Sequence, residues 1–416
     1  MNHFCHIIAV AAVYAAVSTL HVSGENTTQL ADTVAVGPAF IINGDTIQAF
    51  TIRQKTMNLW QRINAYFDNT KPERIDGKPE FSVIGGPHYS SDTKLGLAVA
   101  ATASYRSKAY DPDTPNSNFN IYADGSLSGY YNVGILGTHI FPKDKIRVNY
   151  KIDFTSFPTK FWGIGWENAH SSDNETRYTE KQFKADIDWQ WKLHSGLYLG
   201  PTIVFQNIHA KHISHTTLTD GTTANREYLW NGQKLHTQSL GLGLLLSFDT
   251  RDNLTAPTKG HLITLRQTFL PRFLGNDYAF SYSQLWASAY KTVWKGGVLA
   301  GLLQLKYEYG NPPWGMMAYF GGSRYLRGYY LGRYRDKVAT EATVELRQNI
   351  YKRFGMVGWV GVGSISPDFK SIRGRQLLPA AGVGLRFAIR RNTNIRIDAG
   401  FGRNSHNFCF NMNEAF

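Results

Sequence analysis

Cysteine is nearly absent from this sequence: of 416 residues, only Cys5 and Cys409 carry a thiol. Cys5 lies within a predicted leader, so the processed chain would keep a single cysteine and no internal disulfide framework. Long apolar runs are missing as well, because beyond residues 7–17 no stretch approaches the roughly 20 apolar residues that a membrane-spanning helix needs. These absences exclude a small disulfide-stapled domain and a bundle of membrane helices.

Charged side chains are missing from the first 24 residues, which contain no Asp, Glu, Lys or Arg. Their apolar run ends in the small residues Ser23 and Gly24, a pattern typical of a signal peptide that is removed on export. We therefore expect residues 1–24 to be a signal peptide. The formal net charge of +13 belongs entirely to the rest of the chain.

Signatures of enzymes, cofactors and metal sites are also missing. The Gly-x-Gly pairs beginning at Gly163, Gly241 and Gly361 lack the helix and the Lys-Ser of a phosphate loop, and no Gly-x-Ser-x-Gly elbow occurs. His209 and His212 are three residues apart, which places them on opposite faces of a strand. We predict no catalytic residues, no metal and no cofactor.

The positive charge alone would fit a chain that binds nucleic acid. Here, however, the cations stand at alternate positions of predicted strands rather than in runs. No nucleic-acid partner is therefore predicted.

What the sequence does contain is a repeated two-residue alternation of apolar and polar side chains. In one case Ile395, Ile397 and Phe401 alternate with Arg396 and Asp398, which is the period of a strand with one apolar face. Many such segments exceed the roughly 5 to 6 residues usual in soluble proteins, and aromatic residues lie near their ends, as at the two surfaces of a membrane. The pattern favours a barrel whose apolar face points outward to lipid.

Sixteen alternating segments are predicted, an even number, as a closed antiparallel barrel with both ends on one side requires. They span residues 81–87, 92–106, 119–128, 130–141, 145–157, 177–192, 197–213, 236–251, 261–270, 277–293, 297–310, 337–351, 354–366, 378–390, 393–403 and 407–416. Short turns at 142–144, 193–196, 295–296, 352–353 and 391–392 would be periplasmic, and the long connections 158–176, 214–235 and 311–336 extracellular. Residues 107–118 form a long connection where a short turn is expected. The predicted fold is all-β: a transmembrane 16-stranded antiparallel β-barrel over residues 81–416.

Residues 25–80 precede the barrel and are predicted to be a short periplasmic segment. Within it, residues 51–68 place Ile52, Leu59, Trp60 and Phe67 on one broad face of a possible amphipathic helix. We expect such a helix to pack beneath the barrel or to plug it.

A motif in the longest connection carries a family resemblance. Residues 323–330 read Ser-Arg-Tyr-Leu-Arg-Gly-Tyr-Tyr, with the core Leu326, Arg327, Gly328 and Tyr329. This core resembles the Arg-Gly-aromatic signature of the BamA/TamA family, the bacterial surface antigens. In that family the motif lies on the sixth extracellular loop and folds back into the lumen. Here it lies between the eleventh and twelfth predicted strands, which is also the sixth extracellular loop.

Three further segments in the same order strengthen the resemblance. Asp249-Thr-Arg251-Asp252, followed by Pro257 and Gly260, is similar to the family's Asp-x-Arg-Asp segment at a periplasmic turn. Arg396-Ile-Asp398 is similar to the penultimate strand, whose acidic residue meets the loop arginine, and Val344-Glu345-Leu346-Arg347 is similar to the strand after the loop. The resemblance implies that Arg327 docks in the lumen on Asp398 and Glu345.

The last residues resemble the signal by which outer-membrane barrels are recognised for insertion. Phe408, Phe410 and Met412 alternate along a terminal strand that ends in Phe416. The resemblance implies the barrel-assembly machinery as a partner in the chain's own insertion, outer-membrane lipid as its surroundings and the bacterial outer membrane as its location.

The resemblance implies a barrel of the protein insertion and translocation family, acting in protein or lipid assembly or transport, with an unknown client. Residues 25–80 are too few for one of the family's periplasmic POTRA modules, so the expectation is a short member without them. Two alternatives stay open. One is a surface barrel enzyme that hydrolyses lipid, which would need a Ser and a His on one outward face.

The other alternative is a passive, anion-leaning pore, because many basic residues are predicted to face inward. Simple pairing with inward carboxylates would explain the same residues. The basic set is Arg147, Lys151, Lys184, Arg251, Arg347, Arg386 and Arg396, and the carboxylates are Asp153, Asp186, Asp188, Asp249, Glu345 and Asp398.

Overall fold

The structure is a computed structural model. It describes residues 32–42, 45–53, 79–105, 114, 116–214, 216–217, 223–224, 229–253, 256–390, 393–412 and 414–416. Among these residues, no helix combines the length and the apolar composition needed to cross a bilayer.

The alternating segments form a closed antiparallel barrel in which each strand pairs with the next along the chain. All sixteen predicted strands are present in the predicted order. They are β1 (Glu80–Ser90), β2 (Lys94–Tyr105), β3 (Ser117–Ser126), β4 (Tyr131–Ile140), β5 (Ile146–Phe161), β6 (Thr176–His194), β7 (Leu197–Lys211), β8 (His236–Asp249), β9 (Gly260–Leu270), β10 (Phe280–Trp294), β11 (Gly297–Gly310), β12 (Val338–Tyr351), β13 (Phe354–Ser366), β14 (Leu378–Arg390), β15 (Thr393–Gly402) and β16 (Ser405–Met412).

The apolar face of the strands points out of the barrel and the polar face points into the lumen. On β13 and β14 the side chains of Val360 and Val383 are 62% and 57% exposed, whereas inward-facing Arg386 and Asp398 are 6% and 1% exposed. A soluble protein would place its apolar face inside, because burying apolar area is the main driving force of folding in water. The predicted inverted arrangement is confirmed.

The longest described connections lie at one end of the barrel. One end, the lower rim, carries the tight turns at 141–145, 195–196, 295–296 and 352–353, together with the start of β1 and the end of β16. The other end, the upper rim, carries the connections 162–175, 212–235 and 311–337. The predicted turn at 391–392 and most of the predicted connection 107–118 fall outside the described residues.

The possible amphipathic helix before the barrel does not begin at residue 51, and the periplasmic location of residues 25–80 stays a prediction. Residues 51–53, where the amphipathic helix was expected to begin, belong to a strand, Asp45–Arg53, which pairs with Asp32–Ile42 in an antiparallel hairpin. Ile52 is among the paired residues. Isolated apolar residues fit a helical face and a strand equally well over a few positions, so the short pattern could not decide. The remaining residues of the predicted helix, 54–68, lie outside the described part of the chain.

The barrel closes through a short seam. Among the described residues, the first and last strands pair only at Ser90 with Cys409 and Tyr89 with Phe410, whereas β5 pairs with β6 along the whole of Ile146–Phe161. One backbone hydrogen bond, from Ser91 to the carbonyl of Phe408, extends the contact towards the upper rim. The part of β1 below Tyr89 therefore has no strand on its seam side among the described residues.

The last strand is shorter than predicted, because β16 ends at Met412 rather than at residue 416. Glu414, Ala415 and Phe416, here called the C-terminal tail, are all buried. Ion pairs and an apolar cluster inside the barrel hold this tail away from the line of the strand, as described below.

Candidate functional site in the lumen

The connection 311–337, here called the plug loop, folds into the barrel from the upper rim. Its ends are tied by a two-residue ladder, Ala318–Tyr319 with Arg335–Asp336. Trp314 of the loop is fully buried in an aromatic cluster with Phe161 and Trp230. Burial of such large rings is a strong apolar anchor, with each ring removing on the order of 150–250 Å² from water. The predicted inward folding of this loop is thus present in the structure.

Arg327 lies deep in the lumen, 4% exposed, between two carboxylates. Its Nη1 donates to Asp398 Oδ2 at 2.7 Å and its Nη2 donates to Glu345 Oε2. The guanidinium also lies 3.7 Å from the ring centroid of Trp359 on β13. The planar guanidinium bridges two carboxylates and stacks on an indole ring at the same time. The ammonium group of a lysine cannot make this combination of contacts. The structure brings together the three residues paired in the sequence analysis.

Glycines allow the backbone of the motif to lie directly on the barrel wall. Gly328 has φ 122°, and a Cβ there would lie 2.8 Å from the carbonyl carbon of Phe401. On the wall side, a Cβ at Gly400 would lie 2.8 Å from the carbonyl carbon of Arg327. Since such approaches are shorter than real Cβ contacts, both positions require glycine for the loop to dock at this depth.

The residues flanking Arg327 fix the orientation of the motif. The backbone N–H of Leu326 donates to Glu341 Oε1 at 2.6 Å, and the Leu326 side chain packs over Gly363 of β13. The Tyr329 hydroxyl donates to the Pro379 carbonyl at 2.7 Å and accepts from the Arg403 N–H at 2.8 Å. The motif is therefore attached to the wall from β12 to the β15–β16 turn.

A second group of contacts, missed by the sequence analysis, links the same site to the C-terminal tail. Arg386 donates from Nη1 to Asp398 at 2.6 Å and from Nε to Glu414 at 2.8 Å. Arg347 donates from Nε to Glu345 at 2.7 Å and from Nη2 to the Phe416 carbonyl oxygen at 2.8 Å. Each carboxylate that holds Arg327 thus also holds an arginine that binds the tail.

The ring of Phe416 completes this attachment. It is buried in a lumen cluster with Tyr290, Ala300 and Leu302, and the Arg347 guanidinium lies 5.4 Å from its centroid. Phe408 remains on the outer wall at 38% exposure. The role of Phe408, Phe410, Met412 and Phe416 as an insertion signal stays a prediction, with Phe416 now placed inside the barrel rather than along the strand.

Most inward cations have carboxylate partners, as the pairing interpretation predicted. Members of the two predicted sets pair with one another as Lys151–Asp153, Lys184–Asp186, Arg251–Asp249, Arg347–Glu345, Arg386–Asp398 and Arg396–Asp398. Two members pair with residues outside those sets: Arg147 binds Asp144 of the lower-rim turn, and Asp188 binds Arg266. Pairing lowers the net field that an anion would meet, so the lumen is less attractive to anions than its basic residues alone indicate.

The lower-rim motif forms a compact turn after β8. The Asp249 carboxylate accepts from the backbone N–H and from Nε of Arg251, at 3.1 and 2.9 Å. Asp252 accepts from the Thr258 N–H at 2.8 Å, Pro257 is buried, and Gly260 has φ 95°. These contacts shape the turn and leave the plug loop untouched. A functional role for this motif stays a prediction.

A buried carboxylate also joins the plug loop to the first hairpin of the barrel. Asp92, in the β1–β2 turn, is 8% exposed and accepts a hydrogen bond from the backbone N–H of Leu331. Burial raises the pKa of Asp92 to about 7, against the hydrogen bond from Leu331 and the charges of Lys94 and Lys160. The ionised form is therefore less stable at this site than it would be in water.

We expect the upper part of the plug loop to dock more tightly as the pH falls. Because the pKa of Asp92 is raised from 3.8 to about 7, the cost of burying its charge is full above about pH 7, declines as the pH falls, and is absent below about pH 4. Protease cleavage within residues 321–333 should slow between about pH 8 and pH 5, and Asp92→Asn should reduce that difference. Asp173→Asn, on a neighbouring loop, is the control. An unchanged pH dependence in Asp92→Asn would contradict the assignment.

Comparisons with known proteins agree with this geometry. Residues 116–416 match the Omp85 superfamily domain, and no curated protein matches the sequence. BamA from Haemophilus ducreyi lacking POTRA domains 1–3 superposes with a TM-score of 0.54 at 12% identity, over 97% of this chain and 78% of that one. CdiB from Escherichia coli gives 0.51 at 13% identity (87% and 72%), and CdiB from Acinetobacter baumannii gives 0.50 at 11% identity (80% and 59%). At such identities the structural likeness establishes the fold alone.

Proposed function

The chain belongs to the Omp85 superfamily and is a β-barrel of the bacterial outer membrane, and from this premise we propose that it helps other proteins enter that membrane by opening between β1 and β16. The short seam carries the proposal. Two residue pairs join the first and last strands, while every other neighbouring pair shares eight or more. Since backbone hydrogen bonds hold strands together, the seam is the weakest joint of the wall.

An opened seam presents a strand edge to an incoming segment. Among the described residues, no strand pairs with the lower edge of β1, and unpaired backbone N–H and C=O groups are costly in a membrane and form a template for another strand. Apolar side chains beside it face outward, with Phe81 77% and Val83 57% exposed. A client strand could pair there with its own apolar face already directed to lipid.

The occupied lumen argues against a passive pore as the main activity. The plug loop and the C-terminal tail both lie inside the barrel and are bound to its wall by buried ion pairs. A steady open channel would require both to leave. We further propose that the chain has no enzymatic chemistry of its own.

The test is the folding of an unfolded outer-membrane barrel client in lipid vesicles with and without the full chain. We expect the chain to raise the rate at which the client gains its heat-modifiable, folded form. In planar bilayers the same protein should give rare, fluctuating openings. An unchanged client rate, or a large steady conductance, would reject the insertion function, and the second result would favour the pore.

A further inference from the structure

One upper-rim loop lies against the outer wall of the barrel. Residues 367–377, between β13 and β14, place the ring of Phe369 4.8 Å from the ring of Tyr307 on β11. Tyr307 in turn contacts Tyr309, which is 42% exposed on the outward face of the same strand. The loop therefore reaches across β12 on the outside of the barrel, towards the lipid-facing surface.

The same loop combines exposed apolar and basic side chains. Phe369, Ile372 and Leu377 are 46%, 36% and 38% exposed, and Arg373 and Arg375 between them are exposed as well. Aromatic and basic residues mixed in this way are typical of the boundary between hydrocarbon and headgroups.

The arginines of this surface have no carboxylate of their own. Among the described residues, Arg373, Arg375 and Arg403 take part in no ion pair. The single acid of the loop, Asp368, accepts a hydrogen bond from the Ser371 N–H at 2.8 Å and caps a short 3-10 helix. Most cations of the lumen are paired instead. Unpaired guanidinium groups beside apolar side chains are the chemistry that binds phosphate oxygens with a lipid chain alongside.

The geometry brings the β15–β16 turn against this loop. Arg403, in that turn, donates from Nη1 to the Arg375 carbonyl at 3.1 Å. Its own N–H donates to the hydroxyl of Tyr329 in the plug loop. The backbone of the loop at Arg375 is thus tied to a turn that is itself bound to the docked motif.

We propose that Arg373, Arg375 and Arg403, together with the exposed apolar side chains Phe369 and Ile372 of the same loop, form a binding surface for the phosphorylated headgroup of a lipid in the outer leaflet. The guanidinium groups bind the phosphate oxygens, and the apolar side chains contact the upper part of the acyl chains. Neither the seam nor the insertion activity enters this inference, so the site and the proposed function stand or fall separately.

The test counts lipids that stay bound to the purified full chain, by native mass spectrometry. The protein in mild detergent is mixed with phosphatidylglycerol and with phosphatidylcholine of the same acyl chains. We expect the unaltered chain to retain phosphatidylglycerol in preference to phosphatidylcholine. In Arg373→Gln/Arg375→Gln/Arg403→Gln the amount of phosphatidylglycerol retained should fall about tenfold or more, because each basic residue near an anionic surface strengthens binding to it.

A matched control removes three equally exposed cations from the lower rim, in Lys145→Gln/Lys291→Gln/Lys295→Gln. This variant should retain phosphatidylglycerol as the unaltered chain does. Equal loss in both triple variants would overturn the site, because any three charges would then suffice. Retention in the arginine variant at the unaltered level would overturn it as well.

A further variant distinguishes a lipid from a free anion. Phe369→Ser leaves all three arginines in place and removes the apolar contact with Tyr307. We expect it to lower phosphatidylglycerol retention severalfold, and unchanged retention would overturn the assignment to a lipid. Heat-modifiable migration on a gel checks that each variant has folded.

Discussion

Replacing Arg327 with alanine should release the plug loop while leaving the barrel intact. The substitution removes the shared partner of Asp398 and Glu345, which are 1% and 0% exposed. Breaking one side of a buried ion pair costs on the order of 3 to 5 kcal/mol, and the loss of the stack on Trp359 adds to this. Arg347 and Arg386 still neutralise the two acids, so the strands themselves should stay paired.

The measurements are protease cleavage within residues 311–336 and conductance in planar bilayers, and both should increase. Arg327→Lys should recover only part of the docking, because an ammonium cannot bridge both carboxylates as a planar fork does. Arg272→Gln, which removes an exposed cation of another upper-rim connection outside the buried pairs, is the matched control. If Arg327→Ala behaves like the unaltered chain in both assays, the arginine does not hold the loop.

Locking the seam should stop client insertion. Ser90 and Cys409 are direct partners across β1 and β16, so Ser90→Cys places a second thiol opposite the native one. Directly opposed residues of an antiparallel pair have Cβ atoms about 4.5 to 5.5 Å apart, close to the roughly 3.5 to 4.5 Å of a disulfide. Because a disulfide cannot separate as two hydrogen-bonded strands can, we expect insertion to fall to the level of empty vesicles.

Addition of a reductant should restore client insertion in the same sample. The control is Ser90→Cys/Cys409→Ser, which keeps the new thiol and cannot form the bond. Formation of the bond is checked by the altered migration of the denatured chain without reductant. Insertion at the unaltered rate by the fully cross-linked protein would rule out opening at this seam.

The strands could be predicted from the sequence because their physical constraint is local. A wall with lipid on one side and water on the other requires alternation at every second residue, and residues 393–402 display it without reference to any other part of the chain. The start of the predicted N-terminal helix was wrong for the opposite reason. Around Ile52 the alternating pattern is too short to distinguish a strand from a helix.

The site could be predicted only in part. The partners of Arg327 followed from a family resemblance and from period two, which turns Glu345 and Asp398 inward. The link from Arg386 to Glu414 leaves no comparable signal, because Glu414 lies beyond the alternating strand. Likewise, the contact between Asp92 and Leu331 joins two irregular segments that lie far apart in the sequence. A periodic pattern of side chains cannot predict a contact between two such segments.

The docking of the plug loop has a consequence for the order in which the molecule is built. Arg327 precedes both of its partners in the chain, and Asp398 lies 71 residues further on. During synthesis or stepwise assembly from the first strand, the loop must wait until β12 and β15 have formed and curved. Docking therefore comes after wall formation, and an Arg327 bound to both carboxylates indicates a barrel that is complete up to its penultimate strand. In an assembly intermediate that lacks those strands the loop would be accessible to proteases. The loss of protease cleavage during biogenesis would therefore report when this part of the wall has formed.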